Sequence, residues 1–203
     1  MITDSTVVTK PKKSRRKFLN LITHGYIAVG AAFAAVPFIK SFNPSQKAKA
    51  IGAPVDIDIS DLLPNQLKVV KWRGKPVWVL RRDEEVLQTL KIIESDLQDP
   101  GSIQSDQPDF AANRHRSLKP EFLVLVGVCT HLGCSPLFKP QKGTEELGKD
   151  WPGGFFCPCH GSKFDFSGRV FKNLPAPTNL VVPPYAFVDD KTIRVGVTAE
   201  EIA

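Results

Sequence analysis

Two short segments hold all four cysteines of the chain and two of its four histidines. The first segment is Cys129-Thr130-His131-Leu132-Gly133-Cys134, and the second is Cys157-Pro158-Cys159-His160-Gly161-Ser162. In each segment a histidine follows the first cysteine by two or three residues, and one further cysteine lies nearby. Two loops that each supply a thiolate and an imidazole can enclose a small metal centre from opposite sides.

Three kinds of site could use these residues. Two disulfides are one, with three possible pairings, but they leave the histidine in each segment unexplained. A zinc site with two cysteine and two histidine ligands is another, but it leaves two cysteines over and lacks the usual ligand spacing. The third is a 2Fe–2S cluster with two cysteines on one iron and two histidines on the other.

The two segments resemble the paired cluster-binding boxes of Rieske proteins, and they match both boxes without a gap. The resemblance implies a Rieske-type 2Fe–2S cluster in which two cysteines bind one iron and two histidines bind the other. Its four ligands would be Cys129, His131, Cys157 and His160. Because both boxes occur together, the match is a far more specific indication than a single two-cysteine motif would be.

The resemblance also implies roles for neighbouring residues. Cys134 and Cys159 would form a disulfide that ties the two loops together, as in the branch of the family found in cytochrome bc complexes. His160 would meet quinol through its outer ring nitrogen, and Leu132 would help to shape the docking tip. Ser162 would donate a hydrogen bond to a bridging sulfide.

One position departs from the family pattern. In many quinol-oxidising Rieske proteins the second residue after the box serine is a tyrosine that donates a hydrogen bond to a ligating cysteine sulfur. Here that residue is Phe164, so this donor is missing.

Charge counting indicates what such a cluster would do. Two ferric ions and two sulfides carry two positive charges, which two thiolates cancel when the imidazoles are neutral. Reduction therefore creates only a single negative charge, which raises the potential into the range of about −150 to +300 mV. The outer nitrogens of the imidazoles can also carry protons. Coupled uptake of an electron and a proton suits the oxidation of a quinol.

The basic charge of the chain is local. Its net charge is +6, but residues 1–17 hold six Lys or Arg against one Asp, which leaves about +1 for the remainder. This distribution argues against a nucleic-acid-binding face. With 203 residues and 42% hydrophobic composition, the chain can bury one moderate core plus a small appendage.

The N-terminal part predicts an exported, membrane-anchored protein. Residues 14–19 resemble a twin-arginine export signal, and residues 18–39 contain no charged side chain. As a helix this segment would reach roughly 33 Å, which is enough to cross a membrane. The basic tail, residues 1–17, favours a cytoplasmic N-terminus. We therefore expect one pass through a bacterial inner membrane, with the globular part in the periplasm. A cleaved signal peptide, with a site in the alanine-rich residues 31–35, is the alternative.

The remaining chain predicts a linker and a mainly β head. Residues 40–54 are small and polar, and in the family the matching segment is a hinge. Residues 55–203 are predicted to form an antiparallel β Rieske domain, with a cluster-binding lobe at about 127–180. Residues 84–93 have helical spacing, and residues 99–117 are predicted to be a loop. Residues 174–180, called the proline loop below, resemble the segment that covers the cluster in this family.

Taken over nearly the whole chain, the resemblance is to the Rieske subunits of bacterial ubiquinol–cytochrome c reductases, which are proton-translocating complexes. It implies an electron-transfer subunit that takes one electron from quinol and passes it to a c-type cytochrome. Its partners would be a cytochrome b subunit, a c-type cytochrome subunit and ubiquinol, within a dimeric complex. The alternative function is the Rieske small subunit of a periplasmic molybdenum oxidase such as arsenite oxidase.

Overall fold

The N-terminal unit is a single long helix. The structure, a computed structural model, describes residues 13–45 and 52–201. Helix α1 spans Lys13–Ser41 and includes Pro37. The side chains described along it are exposed, and α1 is the one helix in the described parts of the chain that is long and apolar enough to cross a membrane. It contains the whole segment that the sequence predicts to span the membrane.

The second unit is built from three small antiparallel sheets, which confirms the mainly β prediction. The first contains β1 (Val55–Asp58), β8 (Tyr185–Asp189) and β9 (Thr192–Val195), with β9 in the middle. The second contains β2 (Leu67–Trp72), β3 (Lys75–Arg81) and β4 (Phe122–Val126), with β3 in the middle. The third contains β5 (Leu137–Lys139), β6 (Gly154–Phe156) and β7 (Lys163–Phe164), with β6 in the middle.

Helix α2 (Glu84–Ile92) follows β3 directly. It begins at Asp83, whose carboxylate accepts a hydrogen bond from the Val86 N–H. Two glutamates in the first turn stabilise the helix by their interaction with the positive end of its dipole. Val86 and Leu90 are its buried residues, as the helical spacing predicts.

The third sheet carries the two cysteine-containing loops, and it shares one core with the rest of the head. The indole of Trp78 on β3 stacks on the ring of Phe155 on β6, with 4.9 Å between ring centroids. Cys129 and Cys157 belong to the same cluster of buried residues as Leu80 and Leu125. Packing therefore holds the loops against the second sheet, called the main sheet from here on, in addition to their covalent connection through the chain.

Candidate metal centre

The first loop leaves the main sheet at Gly127, which directly follows β4. The Gly127 N–H donates to the carbonyl of Pro76 at 2.8 Å. A Cβ atom on this residue would lie 2.2 Å from the indole of Trp78, so only glycine allows the strand to pass so close to that ring. Gly127 therefore lets the chain pass the Trp78 ring on its way from β4 to residues 129–134.

Both loops are closed by the same pair of backbone hydrogen bonds. The Cys129 N–H donates to the Cys134 carbonyl at 2.7 Å, and the Gly133 N–H donates to the Cys129 carbonyl at 3.0 Å. In the second loop the Cys157 N–H donates to the Ser162 carbonyl at 2.8 Å, and the Gly161 N–H donates to the Cys157 carbonyl at 3.0 Å.

A glycine completes each turn in the left-handed region, with φ of +84° at Gly133 and +78° at Gly161. The two glycines were not predicted to have a role in the turns. Their shared spacing, four residues after the first cysteine of each segment, is the signal that could have shown it.

The structure brings the four predicted ligands to facing positions on the two loops. Cys129 and Cys157 are buried free thiols. The rings of His131 and His160 are 4.6 Å apart and nearly perpendicular, at 87°. The Nδ1 atom of His131 is buried and has no hydrogen-bond partner, which is costly unless it binds another group. Two soft thiols and two imidazoles are the donor set of a mixed cysteine–histidine 2Fe–2S cluster, so these residues fit that group.

The other two cysteines are joined to each other. Cys134 and Cys159 form a disulfide across the two loops, the pairing that the resemblance implies. Their sulfur atoms and that of Cys157 lie within 4.8 Å of one another. This group of three is not a metal site, because a disulfide sulfur is not available as a thiolate ligand.

The protonation of Cys129 indicates what a metal would contribute. Burial raises the pKa of the Cys129 thiol, and the neighbouring Cys157 raises this pKa further. The His131 backbone N–H and the Ser162 hydroxyl oppose this shift by hydrogen bonding to the sulfur. Because a metal binds the thiolate, its positive charge would supply the stabilisation that burial removes.

The proline loop contacts both cysteine-containing loops. The Ala176 N–H donates to Ser162 Oγ at 3.0 Å, and Thr130 Oγ1 donates to the Thr178 carbonyl at 2.7 Å. Ser162 is fully buried. A third segment therefore contacts both loops of the candidate site.

Exposure differs among the predicted tip residues. His160 is exposed and His131 is half-buried. Leu132 keeps 72% of its surface exposed, next to the half-buried His131. Phe164, in contrast, is fully buried on β7 and fills the core next to the second loop.

Sequence reasoning missed a set of buried charges at the turn that follows the second loop. Asp165 and Arg169 form a fully buried ion pair at 2.8 Å, and Arg82 and Arg116 are buried beside it. Burial lowers the pKa of Arg82 to about 9 and that of Arg116 to about 10, while Asp165 opposes both shifts. Both arginines are therefore still charged at neutral pH.

These arginines bind the turn that follows the second loop. Arg82 donates to Ser167 Oγ at 2.8 Å and to the Phe166 carbonyl at 3.3 Å. Arg116 donates to the Ser167 carbonyl at 3.2 Å. The four-residue spacing of Asp165 and Arg169 was visible in the sequence, but no local signal marks Arg82 or Arg116 as buried.

Comparison with known proteins gives matches along most of the chain. Residues 7–45 match a family model described as "Ubiquitinol-cytochrome C reductase Fe-S subunit TAT signal", and residues 54–186 match the Rieske 2Fe-2S domain. The ubiquinol-cytochrome c reductase iron-sulfur subunit of Allochromatium vinosum is 55% identical over 184 residues, which cover 91% of this chain and 89% of that protein. The subunit of the same name from Blastochloris viridis is 46% identical, with 90% and 93% covered.

Among solved structures, a chain of a "Hyperthermophilic respiratory Complex III" aligns over 86% of this chain and 98% of that chain. Its sequence identity is 27% and its TM-score is 0.49. The family assignment rests on the sequence matches alone.

Proposed function

The chain belongs to the family of Rieske iron–sulfur subunits of ubiquinol–cytochrome c reductase, and from this premise we propose which residues bind the cluster and the electron partners. It is the Rieske electron-transfer subunit of the bc1 complex, which is respiratory complex III, and its cofactor is a Rieske 2Fe–2S cluster. The sequence matches favour this function over the molybdenum oxidase considered above.

The proposed ligands are Cys129, His131, Cys157 and His160. Three observations support this set: two buried free thiols, two facing imidazoles and a buried Nδ1 on His131 without a partner. When bound, the cluster supplies a one-electron acceptor whose potential suits quinol oxidation. The disulfide between Cys134 and Cys159 holds the two loops together independently of the metal.

His160 is the proposed contact with ubiquinol in the cytochrome b subunit. The observation that carries this assignment is the difference in exposure, since His160 is exposed whereas His131 is half-buried. The outer nitrogen of His160 accepts a hydrogen bond from the quinol hydroxyl and takes up its proton. Leu132, at 72% exposure, supplies the apolar contact that seats the tip on the partner.

Delivery of the electron to a c-type cytochrome subunit requires the head to reach a second partner. We assign that movement to the linker at residues 40–54, of which residues 46–51 lie outside the described parts of the chain. In this proposal residues 1–17 form the cytoplasmic tail, residues 18–39 cross the membrane and residues 55–203 form the head, with a cluster-binding lobe at about 127–180. The composition of the linker and the match of residues 7–45 to the export-signal model support this division.

The proposed location is a bacterial inner membrane, with the head in the periplasm of a dimeric complex. The basic residues of the segment 1–17 favour a cytoplasmic N-terminus. A disulfide between the two loops also persists better in an oxidising compartment such as the periplasm. Twin-arginine export carries folded proteins, which allows the cluster to be built in the cytoplasm.

The test uses the complex purified from membranes with this subunit in place. We expect ubiquinol to reduce a c-type cytochrome, and a His160→Ala complex to lose both this activity and the Rieske EPR signal. A matched Leu132→Ala complex should keep the EPR signal and lose activity only. A complex that oxidises arsenite and does not react with ubiquinol would contradict the proposal.

A further inference from the structure

We propose that Asn179 is a positioning residue which, with Ser105 and Asp99, holds the proline loop against both cluster-binding loops. The three residues are called the bracket below. The proposal rests on the proposed function, because the proline loop matters to electron transfer only if the cluster lies beneath it. The hydrogen bonds themselves are independent of any metal.

The side chain of Asn179 is fully buried and uses every hydrogen-bonding group on its amide. Its Oδ1 accepts from the Val170 N–H at 2.9 Å. Its Nδ2 donates to the Asp99 carbonyl at 3.0 Å and to Ser102 Oγ at 2.9 Å. The Val170 N–H can only donate and the Asp99 carbonyl can only accept, so the amide has one possible orientation.

The peptide unit between Thr178 and Asn179 joins the bracket to the first cluster-binding loop. On one side its carbonyl accepts from Thr130 Oγ1 at 2.7 Å. On the other side its N–H donates to Ser105 Oγ at 3.2 Å, and the Ser105 hydroxyl donates to the Asp99 carboxylate at 2.9 Å. All three bonds point from donor to acceptor toward one buried carboxylate, so each polarises the next. Thr130 lies between two proposed ligands, which makes this chain a direct connection from Asp99 to the cluster-binding loop.

The segment that presents Ser105 is itself held rigidly. The Asp99 carboxylate also accepts from the backbone N–H groups of Ile103 and Gln104, at 2.8 and 3.0 Å. Ser102 is held at a φ of +56°, a conformation that a non-glycine residue rarely adopts without such support. Residues 99–105 therefore act as a fixed frame, whereas the sequence predicted only a loop.

The second cluster-binding loop depends on the bracket through Ala176. The Ala176 N–H is bound to the oxygen of Ser162, which leaves the Ser162 hydroxyl proton free to be donated to a sulfur at the cluster site. Hydrogen bonds to cluster sulfurs favour the reduced, more negative cluster. If the bracket is broken, the proline loop lifts, Ser162 loses this orientation, and the potential falls.

The test compares Asn179→Ala and Ser105→Ala with two controls in the full-length, cluster-containing chain. Ser105→Thr keeps the hydroxyl at a half-buried position. Gln98→Ala removes an exposed hydrogen bond to the Pro177 carbonyl of the same proline loop. If Asn179→Ala does not fold, Ser105→Ala carries the comparison, because it removes a single hydroxyl from a half-buried site.

We expect hydrogen exchange in residues 174–180 to accelerate at least tenfold in both alanine variants, which corresponds to about 1.4 kcal/mol. Exchange in β4 should stay unchanged, the cluster absorbance should bleach faster in a chelator, and the midpoint potential should fall. Ser105→Thr and Gln98→Ala should behave like the wild type. Equal acceleration throughout the head, or an unchanged proline loop and potential, would overturn the proposal. A wild-type chain with no Rieske spectrum would instead contradict the proposed function, while the exchange data would still test the bracket.

Discussion

The buried ion pair in the turn after the second loop provides the prediction with the clearest magnitude. Asp165 and Arg169 are both 0% exposed. The Asp165 carboxylate also accepts from the backbone N–H groups of Ser167 and Arg169, at 2.9 and 2.8 Å. Asp165→Asn keeps the shape of the side chain, but its amide can orient in two ways. In one orientation the NH2 group faces the Arg169 guanidinium. In the other it faces the backbone N–H groups of the turn, which then lose their acceptor. Either outcome leaves the buried Arg169 guanidinium with only the partly exposed carboxylate of Glu94, at 3.5 Å, as a counter-charge.

Removal of one partner from a buried pair costs about 3–5 kcal/mol. For a protein of this size that corresponds to a fall in melting temperature of roughly 6–20 °C, at about 2–4 °C per kcal/mol. The matched control is Asp56→Asn, which breaks the exposed pair that Asp56 forms with Arg194. We expect little measurable change there, because solvent screens an exposed pair and both side chains keep their freedom when it breaks.

The assay is thermal unfolding of the full-length chain in detergent, followed by circular dichroism and by cluster absorbance. Asp165→Asn should melt at a lower temperature by both probes, and the cluster should be lost no later than the fold. A shift for Asp165→Asn as small as that for Asp56→Asn would refute the idea that this buried pair stabilises the turn.

Three further predictions concern the site itself. Alkylation of the denatured, unreduced protein should leave Cys134 and Cys159 unmodified, and two free thiols in periplasmic protein would contradict the disulfide. Reduction of this bridge, which spans a sequence separation of 25 residues, should lower the free energy of unfolding by roughly 3 kcal/mol. Phe164→Tyr should raise the midpoint potential, and Ser162→Ala should lower it. The shift should be a few tens of millivolts, because only the difference in hydrogen-bond energy between the two redox states moves the potential. A redox titration that finds the potential of the tyrosine variant unchanged or lower would show that Phe164 only fills the core. Gly127→Ala should destabilise the head by about 1–3 kcal/mol or more in a urea titration, since the new methyl group overlaps the indole of Trp78; wild-type stability would mean that the ring can move aside.

The residues closest to the chemistry were predictable because their types and spacing carry the information. A thiol and an imidazole within three residues of each other, repeated in two segments, already limit the site to a few metal centres. The alternation of Val55 and Ile57 with Asp56 and Asp58 also predicts β1, since period two places one side of a strand in the core.

The buried side chains that support the site were not predictable, because their roles depend on contacts between distant parts of the chain. Arg82 lies 85 residues before Ser167, and Ser105 lies 74 residues before Asn179. A buried guanidinium is stable only where the fold gathers enough acceptors around it, and a single sequence does not show where those acceptors meet. The same limit applies to residues 99–105, whose polar composition predicts a loop but not a rigid frame.

Pulsed EPR on the reduced protein can show whether the cluster has two cysteine and two histidine ligands. Histidine labelled with ¹⁵N in the imidazole ring alone would be supplied during growth, so that only imidazole nitrogens change isotope. We expect strong hyperfine coupling from two coordinated histidine nitrogens, whose frequencies change completely on labelling. A 2Fe–2S signal without strongly coupled histidine nitrogens, or with only one, would contradict this ligand set.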